Sequence, residues 1–231
     1  LSHRALLAAG LASGTSRLEG LLESDDTILT RNLMSSLGAV YTHAGNDGYI
    51  VEGLGKKPPQ GGGKEEAFSV FVGESGTTCR LMTAITAAGC GYFRVYGSGR
   101  MHERPIGELA EALLSLGVSF EFEGKGNCPP FIMATQGFKS LPGRNNGAAK
   151  NIEVTIGCDK SSQYLSGLLL AAPIRDGLTV YLGGEKAVSW PYVSLTLDIM
   201  ERFGVRFTVQ VLGESGWADA GWQSMKHGEP G

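Results

Sequence analysis

Several stretches of this sequence place polar side chains where a helix is about to begin. Ser2-His3-Arg4 leads into an Ala/Leu-rich run, Gly76-Thr77-Thr78 with Arg80 leads into a second, and Ser161-Ser162-Gln163 leads into a third. A helix N-terminus carries unpaired backbone N–H groups and the positive end of the helix dipole, so it takes up phosphate or carboxylate readily. Three such ends brought together would form one anion-binding surface. Taken singly, each Ser or Thr is explained as an N-cap, but the recurrence at three places argues for more than capping.

Two further positions suit the same chemistry. Arg104 lies in HERPIGEL, just before a helical pattern. Its planar fork matches a carboxylate or phosphate, while a surface pair with Glu103 or Glu108 is the plainer alternative. Ser189-Trp190-Pro191-Tyr192 opens the last helix. There a hydroxyl and a phenol could face a sugar-like ring, although packing in the core is the simpler reading of Tyr192 alone. Asp25-Asp26 is read as capping the helix that follows it. The four histidines, His3, His43, His102 and His227, give no Ser/His/Asp order, and no Walker A sequence is present.

The elements that must hold these residues repeat. SHRALLAAGLASG from Ser2, GTTCRLMTAITAAG from Gly76 and SSQYLSGLLLAAP from Ser161 share one layout. Each runs as a helix to a Gly or Pro stop and then to a short apolar strand. A second helix follows in every copy and ends at Leu37-Gly38, Leu116-Gly117 or Phe203-Gly204, where a β-branched strand starts at once. Glycine there suits the left-handed position that closes a helix. In the second copy Ile106, Leu109, Ala110, Leu113 and Leu114 form an apolar stripe, with Pro105 in the first turn. The predicted architecture is α/β: one domain of three pseudo-symmetric βαβαββ repeats around a helical core. The repeats fall at about residues 1–75, 76–157 and 158–207, followed by a divergent tail at 208–231. Lys56–Glu66 and Gly137–Asn151 read as loops on composition.

Composition narrows the partners. With 231 residues, 42% hydrophobic and 19% charged, the chain is long enough to bury a core. A net charge of -3 offers no footprint for nucleic acid or an anionic membrane. A phosphorylated ligand must therefore be held by a few placed Arg or Lys residues. Cys79, Cys90, Cys128 and Cys158 form no CxxC pair and no zinc spacing, so no metal is expected and the thiols are read as reduced, in a cytoplasmic compartment. No apolar run is long enough to span a bilayer. The opening at Leu1 reads as a helix entered partway through a motif, so the chain is expected to be part of a longer one.

At these residues the sequence resembles the EPSP synthases, the 3-phosphoshikimate 1-carboxyvinyltransferases, over roughly positions 1 to 207. SHRALLAAGLASG is similar to the family's SxSxRALLLAAL, ESGTTCRLMTA to GNAGTxxRPLTA, RMHERPIGELAEAL to RMxERPIxxLxxAL, SSQYLSGLLLAAP to SSQFLTALLMAAP, and SWPYVSLTLDIMERFGV to SKPYIxxTLxxMxxFGV. The resemblance implies that Arg4, Ser161, Ser162, Gln163, Ser189 and Tyr192 bind shikimate 3-phosphate. It implies that Gly76 and Arg104 contact phosphoenolpyruvate, or glyphosate in its place. It further implies a monomeric enzyme of two similar domains with the active site between them and no metal or organic cofactor. The second domain, absent from this sequence, carries the proton-transfer groups, and the chain alone is expected to bind substrate without turning it over.

The sequence departs from the family's pattern at several points. Glu74 stands where an Asn is usual and Leu81 where a Pro is common. A carboxylate beside an anionic substrate repels it, which bears on phosphoenolpyruvate affinity and glyphosate binding. The family's Lys-Ser pair before the first helix has no counterpart, and beyond Phe207 the match fades. The sister UDP-N-acetylglucosamine enolpyruvyl transferases carry a reactive Cys five residues before the Arg that corresponds to Arg104. Here that position is Gly99, which cannot serve as a nucleophile. A non-catalytic or split ligand-binding module of the same fold is the alternative reading.

Overall fold

A computed structural model describes residues 1–45, 48–55, 57–139, 152–175, 177–183, 189–213 and 216–219. The first unit runs α1 (Ser2–Leu11), β1 (Thr15–Leu18), α2 (Asp25–Ser36), β2 (Val40–His43) and β3 (Tyr49–Glu52). The second runs β4 (Phe68–Phe71), α3 (Gly76–Ala87), β5 (Cys90–Tyr96), α4 (Gly107–Ser115), β6 (Ser119–Phe122) and β7 (Phe131–Gln136). The third runs β8 (Glu153–Gly157), α5 (Ser162–Ala171), β9 (Thr179–Gly183), α6 (Trp190–Arg202), β10 (Gln210–Gly213) and β11 (Gly216–Asp219). The βαβαββ order is complete in the second and third units, whose opening strands β4 and β8 lie before the helices from which the sequence counts them.

The sheets keep the pattern. The first is antiparallel in the order β1-β3-β2. The second has the order β4-β5-β7-β6, with β4 parallel to β5 and the other pairs antiparallel. In the third unit β8 pairs parallel with β9, and β10 forms a hairpin with β11. The three units end their second helices alike, at Gly38 (φ 108°), Gly117 (φ 84°) and Gly204 (φ 78°). These are the left-handed positions that the sequence reserves for glycine.

The helices supply most of the core. In α3 every residue except Thr77 and Arg80 is buried. Two of its buried threonines are satisfied within the helix: Thr83 donates to the Cys79 carbonyl at 2.7 Å and Thr86 to the Met82 carbonyl at 2.6 Å. That leaves an almost uninterrupted apolar surface, with Leu81, Met82 and Ile85 at its centre. Helix α3 packs tightly against α5. At Gly167 a Cβ would lie 3.0 Å from both the Ala84 Cβ and the Arg80 carbonyl oxygen, so any side chain there would hold the two helices apart. A smaller cluster of Leu6, Ala9, Leu18, Tyr49 and Val51 packs beneath the first sheet.

Several local expectations need correction. Ser24, not Asp25, caps α2: its hydroxyl accepts from the Thr27 N–H while Thr27 reaches back to the Ser24 N–H, a capping box. Asp25 and Asp26 occupy the first turn, where their charge meets the positive helix end. Helix α4 begins at Gly107, so Pro105 precedes it. Leu114 is 47% exposed, since it lies one residue (about 100°) around the helix from Leu113. The 57–66 stretch is laced to β5 by Gly61 and Gly62, whose N–H groups donate to the Cys90 and Tyr92 carbonyls at 2.7 and 2.9 Å. Composition marks it as loop, but glycine also permits this close backbone approach. Most of the loop expected at Gly137–Asn151, and residues 220–231 of the tail, lie outside the described residues. Among the described residues no helix is long and apolar enough to cross a membrane.

Gly167→Ala is expected to destabilise the fold by about 1–3 kcal/mol, the usual cost of overpacking. A lower urea midpoint at an unchanged m-value would show it. An unaltered midpoint would mean that α3 and α5 do not approach this closely.

Candidate functional site

The polar helix starts do not all serve one purpose. Ser75 caps α3, its hydroxyl accepting from the Thr78 N–H at 3.2 Å. Ser161 caps α5, accepting from the Gln163 N–H at 3.3 Å. Ser162 is buried behind it. In α1, Ser2 accepts from the Leu22 N–H at 3.0 Å and His3 bonds Thr30 at 2.8 Å, so of this trio Arg4 alone turns toward the helix core.

Arg4 is only 4% exposed. Its Nε donates to the Thr196 hydroxyl of α6 at 2.6 Å and its Nη2 to the Ser166 hydroxyl of α5 at 3.2 Å. Thr196 in turn bonds Ser166 at 3.0 Å. Burial lowers the Arg4 pKa from the usual guanidinium range, but a guanidinium stays protonated in proteins. A positive charge therefore sits among α1, α5 and α6 with little water to screen it. The Tyr192 ring lies 6.0 Å from its guanidinium carbon. Tyr192 is 56% exposed, so the core-packing alternative does not hold for it; Trp190, two residues earlier, takes the buried position. Ser189 stands at the N-cap of α6 with a left-handed backbone (φ 59°).

A second group assembles where α3 meets α5. Gly76, the first residue of α3, is buried beneath two guanidinium groups: a Cβ there would lie 2.7 Å from Arg104 Nη1 and 2.9 Å from Arg80 Nη1. Only glycine leaves that space open. Among the described residues no carboxylate lies within 4 Å of either guanidinium. Arg104 is exposed, and its Nη1 donates to the Glu74 carbonyl oxygen at 3.4 Å rather than to Glu103 or Glu108. Two like charges turned to one point without a counter-ion raise the local potential and favour an anion there. The Glu74 carboxylate lies against Gly99 on the adjoining turn (Gly99–Glu103). Gln163 joins α5 to this group, its Nε2 donating to Thr77 at 3.0 Å and its Oε1 accepting from Arg80 Nη1 at 2.9 Å.

The two groups share α5, where Ser162 and Ser166 are one turn apart. Ser166 and Thr196, which hold Arg4, escape a reading of helix starts because they lie inside apolar helical runs. The only sign of them is a hydroxyl at a core position. A third set of bonds runs beside the site: His3 Nδ1 to Thr30 Oγ1, Thr30 to Thr78 and Thr78 to Ser75, each at 2.8 Å.

Fold and site together define an α/β unit in which helix N-termini and three arginines gather around the start of α5. A family model described as EPSP synthase (3-phosphoshikimate 1-carboxyvinyltransferase) matches residues 1–219, past the point where the motif resemblance fades. The chain belongs to the EPSP synthase family. It is 39% identical over 207 residues to the 3-phosphoshikimate 1-carboxyvinyltransferase of Marinomonas sp., covering 89% of this chain and 45% of that protein. It is 38% identical over 220 residues to the chloroplastic one of Solanum lycopersicum, covering 94% and 40%. The EPSP synthase structure from Acinetobacter baumannii superposes with a TM-score of 0.62 at 22% identity, over 84% of this chain and 41% of that one. The chain thus spans less than half the length of these relatives.

His3 gives the site a pH signature. Burial, the largest influence, lowers its pKa below 6.5, while Asp26 opposes the shift and the N-terminus and Arg4 add to it. The unfolded chain then binds a proton at a pH where the native ring does not. His3 therefore withdraws stability as pH falls from 6.5 through its native value, and has no such effect above 6.5. The urea midpoint is expected to drop on acidification through this window, and His3→Gln, which can still hydrogen-bond Thr30, to reduce the drop. Equal pH profiles for the two proteins would refute the assignment.

Proposed function

We propose that this chain is the shikimate-3-phosphate-binding half of an EPSP synthase. The whole protein would transfer the enolpyruvyl group of phosphoenolpyruvate to the 5-hydroxyl of shikimate 3-phosphate. The observation that carries the reading is the placing of Arg4, Ser161, Ser162, Gln163 and Tyr192 at one end of the helix bundle, beside Gly76 and its two arginines. On this reading Arg4 and the helix starts at Ser161–Gln163 and Ser189–Tyr192 hold the phosphorylated ring. Gly76 and Arg104 hold part of the second anion.

In the family's chemistry the 5-hydroxyl oxygen bonds to C2 of phosphoenolpyruvate while C3 gains a proton. The 5-hydroxyl proton is released in that step; the tetrahedral adduct then loses a proton from C3 as it expels phosphate, which restores the C2–C3 double bond. Bringing two anions into contact is the main obstacle, and positive groups fixed in advance lower it. This chain supplies such groups as arginine side chains and helix N-termini. The proton-transfer groups belong to the family's second domain, so the 231-residue chain is expected to bind and not to turn over.

Calorimetric titration with shikimate 3-phosphate tests this. Saturable binding is expected, weakened at least tenfold by Arg4→Ala, alongside no measurable product from the chain with both substrates. Absence of binding by the folded wild-type chain would favour a copy that has lost its ligand site. Turnover by the chain alone would overturn the division of labour.

A further inference from the structure

Arg80 is oriented toward the protein rather than outward. Its Nη1 donates to the Gln163 side-chain carbonyl at 2.9 Å and, more weakly, to the Gly76 backbone carbonyl at 3.4 Å. Its guanidinium carbon lies 5.6 Å from the Tyr164 ring, within cation–π range. The Tyr164 hydroxyl donates to the Pro105 carbonyl at 2.8 Å, next to Arg104. Arg80 therefore touches the start of α3, the start of α5 and, through Tyr164, the segment that carries Arg104. Among the described residues its buried Nε has no hydrogen-bond partner. An arginine retained only to join α3 to α5 would have no reason to leave a donor unmatched in the interior.

We infer that Arg80 is a positioning residue that sets the orientation of the Gln163 amide. An unrestrained glutamine amide turns freely and presents its oxygen or its nitrogen with similar ease. Arg80 is donor-only, so it selects the Gln163 oxygen. Thr77 then receives the nitrogen. With the amide held at both ends, α5 offers the ligand one fixed face instead of two interchanging ones. A lysine keeps the charge but not the fork, and so cannot bond Gln163 and Gly76 in this geometry while covering Tyr164. The inference rests on the reading of this end of the bundle as the substrate-anion site, but the restraint on Gln163 exists without ligand.

Two measurements on the full chain separate those layers. In the first, side-chain amide NMR of the unliganded protein is expected to show the Gln163 amide protons resolved, with a nuclear Overhauser effect to Thr77. Arg80→Lys is expected to abolish that Overhauser effect. A mobile Gln163 amide in the wild type would overturn the inference whether or not any ligand binds. The second is a double-mutant cycle on shikimate 3-phosphate affinity with Arg80→Lys and Gln163→Met. Arg80→Lys is expected to weaken binding about tenfold in the wild type and less than twofold once Gln163 is Met. Equal losses in both backgrounds would show that Arg80 acts independently of Gln163. Thr77→Val, which releases the other end of the amide, guards against an Arg80 variant that fails to fold and is expected to reproduce the loss. Intact binding in Thr77→Val would refute the two-ended restraint. If wild type shows a fixed amide but no affinity, the substrate assignment fails and the restraint stands.

Discussion

The distance between α3 and α5 governs most of what this chain does. Two helices of ordinary composition pack 8–10 Å apart, and at that separation side chains from their N-termini meet only if the packing residues are small. Gly167 against Ala84 provides the small pair. Because the helices close there, Gln163 of one reaches both Thr77 and Arg80 of the other, one to two turns nearer their N-termini. The same closure seats Tyr164 over the Arg80 guanidinium and against the Pro105 carbonyl, fixing the approach of Arg104. Contacts that look like separate features of a site thus descend from one steric allowance in the core.

Electrostatics works the same way, by placement rather than by total. The chain is net negative, yet three guanidinium groups occupy the ends of α1, α3 and α4 on one side of the helix bundle. Among the described residues Arg4 is paired only with neutral hydroxyls, and Arg80 and Arg104 with amide and carbonyl oxygens. None of these partners cancels the charge. Some carboxylates elsewhere are engaged with other cations, as Glu123 is with Arg94 and Asp198 with Arg202. Glu74 lies nearer the arginines, on the loop that leads into Gly76.

Much of this was legible from residue order. Three helix closures at Leu-Gly or Phe-Gly announce the repeat, because an L side chain at those φ values is strained. The strings from Ser2, Gly76 and Ser161 locate three helix starts. What escaped the sequence had one physical cause: a side chain's direction depends on neighbours distant in the chain. Tyr192 and Trp190 are both aromatic at a helix start, and only the packing of α6 decides which is buried. Glycines at 61–63 read as punctuation, yet two of them lie flat along β5. Arg80 could be placed on α3, but its turn inward toward Gln163 follows from α5, which lies some eighty residues later.

The row of hydroxyls from His3 to Ser75 has a property that its individual bonds do not. Each hydroxyl has one proton to give. Thr78 gives its proton to Ser75, so Thr30 supplies the proton between the two threonines, and its oxygen is left to receive from His3 Nδ1–H. The row is therefore directional, like a line of compass needles, and its sense runs from α1 to the serine that caps α3. A neutral ring of that tautomer and an imidazolium both carry the Nδ1 proton, so protonating His3 adds charge at one end of the row without turning any hydroxyl around.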